Sequence, residues 1–73
     1  MAQTLGERLK AVRRRLGMSQ VELATRSGVA QDSLERVECG KRHYLRSDDL
    51  GRLVEALDVP ADELLGIRDF KGL

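Results

Sequence analysis

Gln31, Asp32, Glu35 and Arg36 are the residues of this chain whose types and spacing suit chemistry at a surface. At helical spacing the four fall on one side of a helix, while Leu34 and Val37, three apart, form an apolar stripe on the other. An amide, carboxylates and a guanidinium on one face, with no apolar body among them, offer the donors and acceptors that read base edges in a DNA major groove. A face that is merely solvated would have the same composition. No other set of residues suggests a reaction. Cys39 and His43 stand four apart, but a zinc site wants four ligands and no second pair exists. As a nucleophile and base they lack a third, orienting group. Asp48 and Asp49 are adjacent, so on a helix they point apart. These residues therefore imply no catalysis, no metal and no cofactor.

The stretch Gln20 to Cys39, QVELATRSGVAQDSLERVEC, must position that face. It reads as two short helices hinged at Gly28, where a positive φ would cost another residue roughly 1 kcal/mol or more. Leu23 and Ala24 lie on the inner side of the earlier helix, and Ala24 is small enough for the later helix to cross nearby. Val29 re-enters the core after the turn. Amphipathic helix pairs joined by glycine also occur in purely structural bundles. The joint pattern of a small residue, a glycine four later and inward apolar residues at fixed offsets is more specific to a helix-turn-helix.

The rest of the chain supplies the frame. Thr4 to Glu7 reads as a capping box opening a first helix, with Leu5, Leu9, Val12 and Leu16 as its buried stripe and Gly17 just past its end. Arg13, Arg14 and Arg15 cannot share one face. Arg13 should lie nearest the core edge, with Arg14 and Arg15 splayed outward and Arg15 solvated at the helix end. Ser19 to Glu22 reads as a second capping box. Gln20 is then the first helical residue, beside free amides and the positive end of the dipole, a natural phosphate position. Ala30 begins the next helix without a side-chain cap, and Asp32 in its first turn compensates in part; Gly40 closes it. Lys41 to Arg46 forms a basic loop whose Lys41, Arg42 and Arg46 can grip phosphates. Ser47 is expected to cap a fourth helix that turns Leu50, Leu53, Val54 and Leu57 inward, with Gly51 admitting a close helix crossing. Pro60 begins a short fifth helix containing Leu64 and Leu65, ended by Gly66. Ile67, Phe70 and Leu73 can pack back on the domain or across a dimer.

Composition sets the outer bounds. Seventy-three residues suggest a single domain of modest stability, with a core at about 4–65 and a tail at 66–73. With Tyr44 and Phe70 as its two aromatic residues, the core must be mostly Leu and Val. Helical periodicity without strand-type alternation indicates an all-α fold. No run is long and apolar enough to cross a bilayer, no signal-peptide core is evident, and one cysteine fits a reducing cytoplasm. Residues 1–42 hold nine Lys and Arg against five Asp and Glu, and residues 43–73 hold four against seven. The basic half thus surrounds the helix pair, an asymmetry that would orient the chain on DNA.

The run LGERLKAVRRRLGMSQVELATRSGVAQDSLERVECGKR, followed by LVEALDVPADELL, resembles the Cro/C1-type (xenobiotic-response-element) helix-turn-helix family. It is especially similar to lambdoid phage Cro proteins and repressor N-terminal domains, over about Thr4 to Leu65, and SQ-x-x-LA followed by G-V is the specific signature. The resemblance implies a compact five-helix, lambda-repressor-like bundle that binds a palindromic operator as a homodimer, its third helix in the major groove. It implies base reading by Gln31, Asp32 and Arg36, and backbone contacts by Gln20, Lys41 and Arg42. Outward-facing Arg14 and loop residue Arg46 join these as expected phosphate contacts. Arg13 and Glu38 match a pair that forms a buried salt bridge between the first and third helices. Three departures stand out. Ala30 replaces a capping Ser or Thr, Asp32 is acidic close to phosphates, and the loop after Gly40 lacks the common proline and is slightly longer. The expected role is a DNA-binding transcriptional regulator with no small-molecule ligand and no membrane partner. An antitoxin, a restriction-modification controller or a protein-interaction module would share the domain; apolar residues on the outward face of the third helix would mark the last of these, and there are none.

Overall fold

Five helices, α1 (Leu5–Arg15), α2 (Gln20–Ser27), α3 (Gln31–Glu38), α4 (Ser47–Leu57) and α5 (Ala61–Leu65), make up a computed structural model that describes residues 4–66. Capping side chains set where two of them begin. Thr4 accepts from the Glu7 amide at 3.1 Å, and Glu7 accepts from the Thr4 amide at 2.9 Å, a complete capping box. At α2 the box is half formed: Ser19 accepts from the Glu22 amide at 3.0 Å, but the Glu22 carboxylate pairs with Arg26, 2.9 Å away and one turn later. Ala30 precedes α3 with no side-chain cap, and Asp32 lies in its first turn.

Ser47 does not cap α4: Arg46 holds the extended cap conformation, and Ser47 is the first helical residue. Asp48 and Asp49 in that first turn offset the dipole in place of a capping hydroxyl. Leu16 does not continue the buried stripe of α1. It is the residue on which the helix ends, ahead of Gly17 at φ +73°, and it is 44% exposed. Gly51 admits no helix crossing, because a Cβ placed there meets nothing within 4 Å. The close crossing lies at Gly6. A Cβ at that position would overlap the Val37 carbonyl oxygen and come within 3.0 Å of the Glu38 Cα.

Leu9, Val12, Leu23, Val29, Leu34, Val37, Leu53, Leu57 and Leu64 form the core, one or two from each helix plus Val29 from the turn. Among the described residues it is entirely Leu and Val, with Leu5, Met18, Ala24, Leu45, Leu50 and Val54 packed partly buried around it. α1 packs on α3 and α5, and α2 packs on α3 and α4. The helix pair that carries the polar face is thus braced from two sides. Arg15 is not simply solvated, since it reaches Glu63 at 2.7 Å and ties α1 to α5. Leu65 is 42% exposed, whereas Leu64 is fully buried. The tail residues Ile67, Phe70 and Leu73 lie outside the described residues. No helix among the described residues is long and apolar enough to cross a membrane.

Candidate nucleic-acid interface

Gly28 makes the turn between α2 and α3 at φ +80°, donating its amide to the Ala24 carbonyl at 2.9 Å. Val29 follows it into the core, so α3 leaves the turn with Leu34 and Val37 inward. Gln31, Asp32, Glu35 and Arg36 are consequently all exposed on the opposite side. Within that face Asp32 Oδ2 lies 3.1 Å from Arg36 Nε, one helical turn apart. Two of the three residues expected to read bases, Asp32 and Arg36, are therefore paired with one another in the unbound chain.

Behind the face stands a buried polar network. Arg13 donates from Nε to Glu38 Oε2 and from Nη2 to Glu38 Oε1, both at 2.8 Å, in a two-pronged pair between α1 and α3. Its Nη1 donates to the Met18 carbonyl at 2.7 Å. Gln20 Nε2 donates to Glu38 Oε1 at 3.0 Å, bringing α2 into the same network. The Arg13 and Glu38 side chains keep only 10% and 3% of their exposure. Burial pushes the Glu38 carboxyl up. The hydrogen bonds from Arg13 and Gln20 and the charges of Arg13 and Lys10 outweigh burial and hold it below the ordinary carboxylate range. The hydrogen bond to Glu38 raises the Arg13 guanidinium against the opposing effect of its own burial.

Two shallow depressions flank the network and the face. Lys10, Arg14 and Gln20 line one of them together with Glu35, Glu38 and Cys39. The other lies past the C-terminal end of α3 and is lined by Arg36, Lys41, Arg42, His43 and Tyr44. There the Arg42 guanidinium sits 5.6 Å over the exposed Tyr44 ring, and its Nη1 lies 3.5 Å from the Ser33 hydroxyl. The loop amides of Lys41 and Arg42 both donate to the Arg36 carbonyl, which fixes the loop against the end of α3. The structure thus brings Gln20 and Arg14 together at one depression, and Arg36, Lys41 and Arg42 at the other. Arg46 stands apart from both, exposed at the start of α4.

Sequence reading missed four contributors. Lys10 shares the depression of Gln20, and its charge acts on Glu38. Ser33 and Tyr44 hold Arg42; an aromatic residue inside a basic run was the available signal. Gly6 sets how close α1 comes to α3, and nothing in its local sequence distinguishes it from Gly51. Among the described residues no group of three or more His, Cys, Asp and Glu is placed to hold a metal ion.

Comparison with known proteins places these features in context. A helix-turn-helix domain family model matches residues 4–65. The HTH-type transcriptional repressor RghR of Bacillus subtilis is 35% identical over 63 residues, which cover 86% of this chain and 47% of that protein. The chain therefore spans about half the length of this curated relative. Among solved structures, the biofilm master regulator SinR of Bacillus subtilis, in complex with DNA, superposes with a TM-score of 0.82 at 32% identity, covering 85% of this chain and 98% of that one. The restriction-modification controller protein C.AhdI of Aeromonas hydrophila superposes with a TM-score of 0.76 at 35% identity, covering 82% and 89%.

Proposed function

The chain belongs to the helix-turn-helix family, of the Cro/C1 type its sequence resembles, and from that premise we propose that it is a sequence-specific regulator of transcription that binds double-stranded DNA. The observation that carries the reading is the outward side of α3: Gln31, Asp32, Glu35 and Arg36 are all exposed and polar, with Lys41 and Arg42 beside them. In this reading two copies of the chain, acting as a homodimer, place their α3 helices in successive major grooves about 34 Å apart on a palindromic operator. Gln31 hydrogen-bonds adenine N6 and N7, and Arg36 bonds guanine O6 and N7. Gln20, Arg14, Lys41, Arg42 and Arg46 hold phosphates. Gln20 does so with a side chain whose orientation Glu38 has already set, which lowers the entropy lost on binding. Bound in the cytoplasm, the dimer excludes polymerase and represses; that RghR is a named repressor supports this choice.

Arg36→Ala is the direct test. Discrimination at one base pair per half-site should fall by about 1–3 kcal/mol while the rest of the consensus persists. Uniformly weaker binding with unchanged preference would make Arg36 a phosphate contact instead. The likeness to C.AhdI favours one second reading, a controller of restriction-modification genes. A neighbouring methyltransferase or endonuclease gene would mark that role.

A further inference from the structure

Arg36 stands between two neighbourhoods that ask different things of it. One turn earlier on α3 lies Asp32, whose Oδ2 is 3.1 Å from Arg36 Nε. Past the end of the helix lies the depression of Lys41, Arg42, His43 and Tyr44, of which Arg36 is itself a wall. Cations gathered in that depression attract phosphate regardless of sequence. An Arg36 turned into it would add one more such contact and would read no base.

The pair with Asp32 biases this choice. It engages Nε and leaves the two terminal amino groups, a fixed parallel pair of donors, for the O6 and N7 acceptors of a guanine. It also lays a long, many-rotamer side chain along the helix before DNA arrives, so less freedom is lost on binding. A carboxylate on this face additionally disfavours an approach that would bring phosphates against it. Both side chains are more than half exposed, at 54% and 68%, so solvent screening leaves the pair little weight in folding stability. Its consequence lies in which DNA is bound.

We propose that Asp32 is a specificity-determining positioning residue, which contacts no base itself but holds Arg36 in its base-reading orientation and out of the phosphate-binding depression. This rests on the operator-binding reading above. It differs from direct base reading by Asp32, in which the carboxylate would accept from cytosine N4.

Selection of sites from a random duplex library, run side by side with the parent chain, Asp32→Ala and Asp32→Glu, tests it. Salt titrations on the parent's selected site complete the experiment. Both variants should melt within about a few degrees of the parent, since an exposed pair contributes little. For Asp32→Ala, preference for guanine at the Arg36 position should drop about fivefold or more, and the log–log salt slope should steepen by roughly 0.9 per protomer as Arg36 becomes a phosphate contact. Asp32→Glu keeps an acid one turn from Arg36 and should restore both values. The proposal is overturned if Asp32→Ala keeps the guanine preference and the parent's slope. Loss of preference at some other base pair also overturns it, because Asp32 would then be reading that pair. So does failure of Asp32→Glu to restore what Asp32→Ala loses. A parent chain that enriches no sequence contradicts the operator-binding reading itself, and this proposal falls with it.

Discussion

Gly6 and Gly51 are both helical glycines with opposite roles. At Gly6 the Val37 carbonyl occupies the space a methyl would need, so Gly6→Ala must push α1 away from α3 across the Arg13–Glu38 pair. We expect it to lower stability by about 2 kcal/mol or more. Gly51 faces open space, and Gly51→Ala should raise stability by up to about 1 kcal/mol through helix propensity alone. Thermal unfolding of the two variants should therefore shift in opposite directions; shifts of the same sign would contradict the assigned crossing. Glu38 provides a second contrast at this scale. Its removal strands a buried guanidinium and should cost roughly 3–5 kcal/mol, a large share of the stability of so small a domain. Glu35→Ala, exposed on the same helix, should barely register. Because the folded carboxyl sits below its ordinary value, the Glu38 contribution is fully present above the unfolded value near pH 4.3 and is lost as pH falls through the folded one. Acid titration should show that loss in the parent, and Glu38→Gln should not show it.

Among the helices, α3 carries the face and, like α4 and α5, begins without a side-chain cap. Ala30 gives it no capping oxygen, and Asp32, the acid that compensates, is also the partner of Arg36. Ala30→Thr should stabilise the domain by about 0.5–2 kcal/mol, read as a higher melting temperature. No gain would mean that the first turn of α3 is already satisfied by other means. Periodicity made most of this architecture legible: the inward Leu and Val of α3 and the turn at Gly28 follow from spacing in one short stretch. Long-range facts were not legible in that way. The partners Arg13 and Glu38 are 25 residues apart, and only the family pattern joined them. Where α1 crosses α3 depends on the placement of two helices rather than on the residues beside a glycine, so Gly6 gave no local sign and Gly51 gave a misleading one. The end of α1 at Gly17 was legible, but Leu16 keeps the spacing of the stripe while standing on the helix cap, where it is exposed rather than buried. The Asp32–Arg36 pair did lie open in the sequence, at the four-residue spacing that brings helix side chains together.

At the scale of the whole molecule, the proposed function joins exposed basic residues on either side of α3 to its polar face. In the proposed function, cations at Arg14, Lys41, Arg42 and Arg46 supply attraction that does not depend on sequence, and α3 supplies the reading. Among the described residues the core behind them is wholly aliphatic and small, and the Arg13–Glu38–Gln20 network that joins α1, α2 and α3 adds polar ties behind the exposed face. In the proposed function two such molecules read two half-sites of one operator. Selection of binding sites from a random duplex library with the purified chain, followed by the salt dependence of the winning site, tests it most directly. A dimer reading one operator should return a palindromic consensus with half-sites about one helical turn apart, and a log–log salt slope of about −7 if four cations on each of two protomers each neutralise a phosphate. A library that returns no enriched sequence, or a single unrepeated half-site with a slope near zero, would contradict it.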